Sequence, residues 1–101
     1  MRLCVELLGL MRIKLSCNSL MLSLEDPLAS QRISLEELLR RLEALYAEQH
    51  LKLVENGEIK KGVLVMRKEP VSGRTECIPD LRDQWIKECE VVILATVMAG
   101  G

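Results

Sequence analysis

The chain has 101 residues, 49% hydrophobic and 29% charged, a balance that predicts one folded domain with a single core and not a disordered tail. Its 14 basic and 15 acidic side chains leave a net charge of -1 with no long basic run, which argues against direct nucleic-acid binding. No apolar stretch approaches the roughly 20 residues that a membrane-spanning helix needs.

Leu3, Val5 and Leu7 alternate with Cys4, Glu6 and Leu8, so residues 3–8 are predicted as a strand, interrupted at Gly9. Glu6 comes too early for the apolar region of a signal peptide, so the chain is expected in the cytoplasm. Met11-Arg12-Ile13-Lys14-Leu15 alternates again and is predicted extended, with a turn over residues 16–19. Leu20, Leu22 and Leu24 predict the second main strand, which Glu25-Asp26-Pro27 ends because proline donates nothing to a ladder.

The strongest periodicity follows. Ser34 with Glu37 three residues on is a capping box, and Ile33 and Leu38 occupy the staple positions of a helix predicted over 35–49. Leu35, Leu38, Leu39, Leu42, Leu45 and Tyr46 form its apolar stripe, which covers one face of a sheet. Glu36 with Arg40, and Glu37 with Arg41, are i,i+4 pairs. Leu51 and Leu53 are expected core contacts, and Asn56-Gly57 is a turn. Gly62-Val63-Leu64-Val65-Met66 is a near-continuous apolar run and predicts a central strand buried on both sides or nearly so. Residues 69–73 form a loop, and Pro79-Asp80 favours a turn or short helix start. Glu90-Val91-Val92-Ile93-Leu94-Ala95, again strongly apolar, closes the series as the last strand. On it, alternation puts Val92 and Leu94 on one face and Ile93 and Ala95 on the other. Alignment from the Gly-Gly end sets Val92 and Leu94 toward the helix and leaves Ile93 and Ala95 on the open face, a docking patch unless the loop around Pro70 covers it.

The four cysteines, Cys4, Cys17, Cys77 and Cys89, form no Cys-x-x-Cys pair, and His50 is the single histidine. No metal site is expected from that spacing, and the thiols are expected free, Cys4 and Cys89 within strands and Cys17 and Cys77 near turns. His50 is expected at a helix end. No convergent acid, base and nucleophile is visible, so the chain is not expected to be an enzyme and needs no cofactor of its own.

The last six residues, Thr96-Val97-Met98-Ala99-Gly100-Gly101, carry no charged side chain. Two glycines without Cβ atoms let an extended tail thread a narrow channel. A carboxylate delivered that way is a poor electrophile until adenylated; as an acyl-adenylate it accepts attack by a thiol, a persulfide or an amine.

The strand order and this ending resemble the ubiquitin-like proteins, and within them the ubiquitin-related modifier family most. Val5-Glu6-Leu7-Leu8-Gly9 resembles that family's first strand and glycine turn, and Leu35-Glu36-Glu37-Leu38-Leu39 its helix. Lys61-Gly62-Val63-Leu64-Val65-Met66 resembles its Pro-Gly-Ile-Leu-Val-Leu strand. Residues 90–101 resemble its last strand and its Ser-Thr-Leu-His-Gly-Gly tail, with Met98-Ala99 in place of Leu-His. The resemblance implies an α+β fold, the ubiquitin-like β-grasp: a mixed sheet of four to five strands with one main helix on one face, over residues 1–95, and a tail over 96–101. It implies a sulfur carrier, adenylated at Gly101 with ATP by a ubiquitin-activating-type enzyme. A rhodanese-like sulfurtransferase then converts it to a thiocarboxylate, and the sulfur reaches wobble uridine through a tRNA thiolation complex. Conjugation of Gly101 to target-protein lysines through an isopeptide bond is the companion role. Gly100, Ala99, Met98, Val97 and Thr96 would thread the activating enzyme. The protein would act as a monomer, away from membranes. Alternatives are the small subunit of molybdopterin synthase, a thiamine-type sulfur carrier, and a ubiquitin-like interaction domain that is not conjugated. Ubiquitin's own tail carries arginines, so an activating enzyme that reads them would leave its acidic groups unpaired here, at about 1–3 kcal/mol per buried group.

Overall fold

The computed structural model describes residues 2–23 and 32–96. Strand β1 (Arg2–Gly9) leads through helix α1 (Leu10–Leu15) to β2 (Ser19–Ser23). Then come β3 (Arg32–Ser34), helix α2 (Leu35–Leu45) with a 3-10 turn at Ala47–Gln49, and the short hairpin β4 (Val54–Glu55) and β5 (Glu58–Ile59). Strands β6 (Val63–Lys68), β7 (Thr75–Cys77), β8 (Trp85–Lys87) and β9 (Val91–Thr96) complete the order. The main sheet runs β2-β1-β9-β6-β7. Its first and last strands lie side by side and parallel, and the other pairs are antiparallel. A parallel pair needs a long crossover, which here carries α2 across one face. This is the ubiquitin-like β-grasp expected from the sequence. The predicted strand end at Glu25-Asp26-Pro27 lies outside the described residues.

Helix α2 forms where its capping residues place it. The Ser34 hydroxyl accepts the Glu37 N–H at 3.2 Å. The Glu37 carboxylate does not return the bond; it pairs with Arg41 at 3.2 Å, as Glu36 does with Arg40 at 3.1 Å. Leu35, Leu38, Leu39 and Leu42 are buried against Leu3, Val5 and Leu7 of β1, Val65 of β6, and Val92 and Leu94 of β9 in one cluster. Each fully buried leucine contributes about 1.5–3 kcal/mol relative to exposure. The helix stops at Leu45, short of the predicted 49, with Tyr46 donating its N–H to the Leu42 carbonyl. The apolar stripe ends with it: Leu45 is exposed and Tyr46 half-buried.

The predicted extension of residues 11–15 is a helix instead. Met11 and Leu15, four residues apart, are buried, whereas Ile13 between them is 70% exposed. That is the period of a helix, which five residues with apolar side chains at alternate positions satisfy as well as a strand does. Gly9 permits the change of direction with φ +60, a left-handed value that other residues rarely adopt. Ser16 closes α1 in the left-handed helical region at φ 55, its N–H donating to the Ile13 carbonyl at 3.2 Å.

Asn56 and Gly57, at φ 53 and 76, make the two-residue turn of β4–β5, the primed geometry that matches strand twist. Strand β6 is interior to the sheet, but of the predicted apolar run only Val65 is buried, while Val63, Leu64 and Met66 are half-buried. Its outer neighbour β7 is three residues long and exposed, so little covers that side. The segment after it, where a turn or short helix start was expected, turns at Asp80, whose carboxylate accepts the Arg82 N–H at 3.0 Å. It then enters β8, which pairs with β3 and buries Ile86 against the core.

Candidate functional site

Strand β9 carries the last described residues of the chain. Its six residues pair with β1 from Cys4↔Val91 to Gly9↔Thr96 and with β6 from Lys68↔Val91 to Val63↔Thr96. Thr96, assigned to the tail from the sequence, is instead part of the sheet and its last described residue on β9, held on both sides. Val97, Met98, Ala99, Gly100 and Gly101 lie outside the described residues.

The pairing places Ile93 and Ala95 as predicted, on the face opposite α2. Ile93 shares its register row with Glu6 and Met66, and Ala95 with Leu8 and Leu64. Neither belongs to the core cluster around α2. Yet Ile93 is only 7% exposed and Ala95 9%. Strands about 4.8 Å apart let long side chains on the two neighbours lean over a central residue. The loop around Pro70 stands clear, with Val71 92% exposed. The accessible apolar surface of this face is thus Leu8 and Met21, both exposed, with Leu64, Met66 and Cys4 half-buried. Ile93 and Ala95 are its floor.

A second feature surrounds Thr96. A cleft of about 30 Å³ there is walled by Met11 of α1, Leu51 and Val63, and four lysines point their chains around it: Lys14, Lys52, Lys60 and Lys61. Three chain segments close around Thr96 of β9 to make it. Helix α1 supplies Lys14. The stretch following α2 supplies Lys52, anchored where the Glu43 carboxylate accepts the N–H groups of Leu53 at 2.7 Å and Val54 at 3.0 Å. The turn into β6 supplies Lys60 and Lys61, tied back by the Lys60 N–H to the Leu53 carbonyl at 2.8 Å. Only the adjacency of Lys60 and Lys61 marks this in the sequence; the rest is tertiary.

All four cysteines are free. Cys4 lies in β1 and Cys17 in a loop, its sulfur 3.6 Å from the Tyr46 hydroxyl, a contact that with burial raises the phenol's pKa above its ordinary value. Cys77 is exposed in β7. Cys89, expected in a strand, is exposed in the turn before β9 at φ 75, because the chain must reverse between β8 and β9. His50 caps the 3-10 turn at φ 57. Among the described residues no group of three His, Cys, Asp or Glu side chains converges as metal ligands, and no helix is long and apolar enough to cross a membrane.

A separate groove of about 300 Å³ runs between the start of α2 and the segment leading into β8, lined by Glu36, Arg40, Leu81 and Trp85 among others. Trp85 is 42% exposed, with the Arg32 guanidinium 4.3 Å from its ring centre. It shares no residue with the cleft at Thr96.

No protein-family model matches the chain, and no curated protein does. Among solved structures, the solution structure of the Haloferax volcanii HVO 2177 protein is similar, with a TM-score of 0.67 and 23% identity. The match covers 100% of this chain and 87% of that one. The likeness extends over the whole β-grasp and is a likeness of fold.

Proposed function

We propose that this chain is a sulfur carrier that works through the carboxylate of Gly101. The observation that carries the reading is the seat of β9. The strand that precedes the uncharged residues 97–101 is clamped at the centre of a β-grasp sheet up to Thr96, with pairing on both edges. A rigid body followed by a short uncharged segment with two glycines suits delivery of a carboxylate into a narrow active site.

The chemistry follows from the group. The carboxylate attacks ATP and releases pyrophosphate, leaving an acyl-adenylate. An enzyme persulfide displaces AMP and forms an acyl disulfide, and a second thiol cleaves the S–S bond, leaving a thiocarboxylate on Gly101 and a disulfide on the enzyme. That sulfur is then available for 2-thiolation of tRNA wobble uridine. Attack by a lysine amine on the activated carbonyl gives the isopeptide of a modifier instead. ATP and the catalytic groups belong to the partner, a ubiquitin-activating-type enzyme with a rhodanese-like sulfurtransferase. The apolar face with Leu8 and Leu64 over Ala95 and Ile93 lies beside the strand end and would dock that enzyme.

The test is the intact mass of the protein from its own cells together with adenylation in vitro. A sulfur-for-oxygen gain confined to the C-terminal peptide, and ATP-dependent adenylate formation lost on removing Gly101, are expected. Adenylation of a chain lacking Gly101 would sink the reading. Replacing all four cysteines by alanine should leave adenylation in place.

A further inference from the structure

Four of the six lysines of the chain, Lys14, Lys52, Lys60 and Lys61, converge on the cleft beside Thr96, and no acidic side chain lines it. A chain with net charge -1 has no general surplus of positive charge to scatter there. We propose that this lysine collar is an electrostatic docking element that meets an acidic rim around the tail channel of the adenylating enzyme. The proposal rests on the functional reading above and names how its partner is recognised.

The argument is one of reach. Gly101 lies five residues beyond Thr96, a separation that spans at most about 18 Å when fully extended. An active site that takes Gly101 must bring the mouth of its channel close to Thr96. Whatever surrounds that mouth therefore faces the collar. The side chains of the tail carry no charge, so the ammonium groups at its root supply charge for the partner to read. Covering lysines with an uncharged surface would strip their hydration without compensation, whereas carboxylates opposite them pair and also steer the encounter. The collar is built on folded segments, so its position relative to the strand end is fixed: Lys52 follows the anchor made by Glu43, and Lys60 and Lys61 precede the strand that pairs with Thr96.

A nucleic-acid phosphate would also attract lysines. The lining of this cleft includes no arginine fork and no aromatic ring. Those are the groups that single-stranded or folded RNA engages through bidentate bonds and stacking. A protein carboxylate surface fits the lysine-only composition better.

Lys14, Lys52 and Lys61 are exposed, so the variant Lys14→Glu/Lys52→Glu/Lys61→Glu reverses charge without entering the core. Its control is Arg74→Glu/Arg82→Glu/Lys87→Glu, the same charge change at exposed positions elsewhere. Adenylate formation by the sulfur-transfer-type activating enzyme of the same cells is followed for each full-length chain across a salt series. The collar variant should lose at least about tenfold in kcat/KM, carried by KM with kcat unchanged, and rising salt should bring the wild-type rate down toward it. The control should stay near wild type. Equal losses in both variants, or no loss in the collar variant, would overturn the collar. Binding of unmodified tRNA by the wild-type chain that the collar variant loses would replace the acidic rim with RNA. Failure of the wild-type chain to be adenylated at all strikes the functional reading itself, and shows before any variant is compared.

Discussion

The two faces of β9 are buried by different means. Val92 and Leu94 lie under α2 at 0% and 1% exposure, and Ile93 and Ala95, on the face without a helix, reach 7% and 9%. The contrast grows sideways. On the helix face the row of Leu7, Leu94 and Val65 is buried across three strands. On the bare face, Glu6 and Met66 beside Ile93 are half-buried, and Ser19 and Cys77 beyond them are exposed. A helix closes a whole strip of sheet from above, whereas neighbouring strands close only the middle. The bare face therefore keeps a buried floor inside an accessible apolar margin, which is what a docking surface needs.

The largest expected effect breaks the helix side. Leu94→Ala removes a side chain packed among Leu7, Val65 and the α2 leucines, where the surroundings cannot collapse, and should cost about 2–5 kcal/mol in a denaturant titration. Ile93→Ala tests the bare side directly. Met66 is flexible enough to move into the space, so the cost should be smaller, about 1–3 kcal/mol. Equal losses would mean that the two faces are equally closed. Ile93→Asp, which would be benign on an open face, should destabilise strongly, because the carboxylate would sit in register with Glu6 with almost no solvent around it.

Leu8→Asp sharpens the same comparison at the margin. Leu8 is 42% exposed, so its replacement should change stability by no more than about 0.5–1 kcal/mol. If the bare face docks the activating enzyme, the variant should nevertheless raise KM for adenylation. Unchanged kinetics would leave the lysine collar and the tail to account for recognition.

These contrasts show what the sequence made legible. Alternation located β1 and β2, a continuous apolar run located β9, and alignment from the Gly-Gly end set the faces of β9. Ser34 and the leucine spacing located the start of α2, and Asn56-Gly57 the tight turn. Three things were hidden for physical reasons. Residues 11–15 fit two periods at once, and only Gly9 at positive φ and the packing of Met11 with Leu15 decide for a helix. The burial of Ile93 depends on strands β1 and β6, which are 87 and 27 residues away from it at Glu6 and Met66. The lysine collar is assembled from segments that only the crossover brings together, so no spacing rule finds it. Gly100 and Gly101 lie outside the described residues, so the reading built on them comes from the sequence alone.

The smallest effect separates the bare face from the loop beside it. Residues 69–74 are folded on themselves: the Glu69 carboxylate accepts the N–H groups of Val71 at 3.2 Å and Ser72 at 3.1 Å, and the Ser72 hydroxyl. These bonds, the Ser72 hydroxyl first, hold its pKa below the ordinary 4.5. A carboxylate whose folded pKa is depressed stabilises the fold above its unfolded value, and that contribution disappears as pH falls through the folded pKa. Glu69→Gln should therefore be slightly less stable than wild type near neutrality, with the gap closing below about pH 4.5. Because the loop is tied to itself and not across the sheet, its loosening in acid should leave hydrogen exchange at the Ile93 amide unchanged. Faster exchange at Ile93 in step with protonation of Glu69 would show that the loop, and not Glu6 and Met66, covers the bare face.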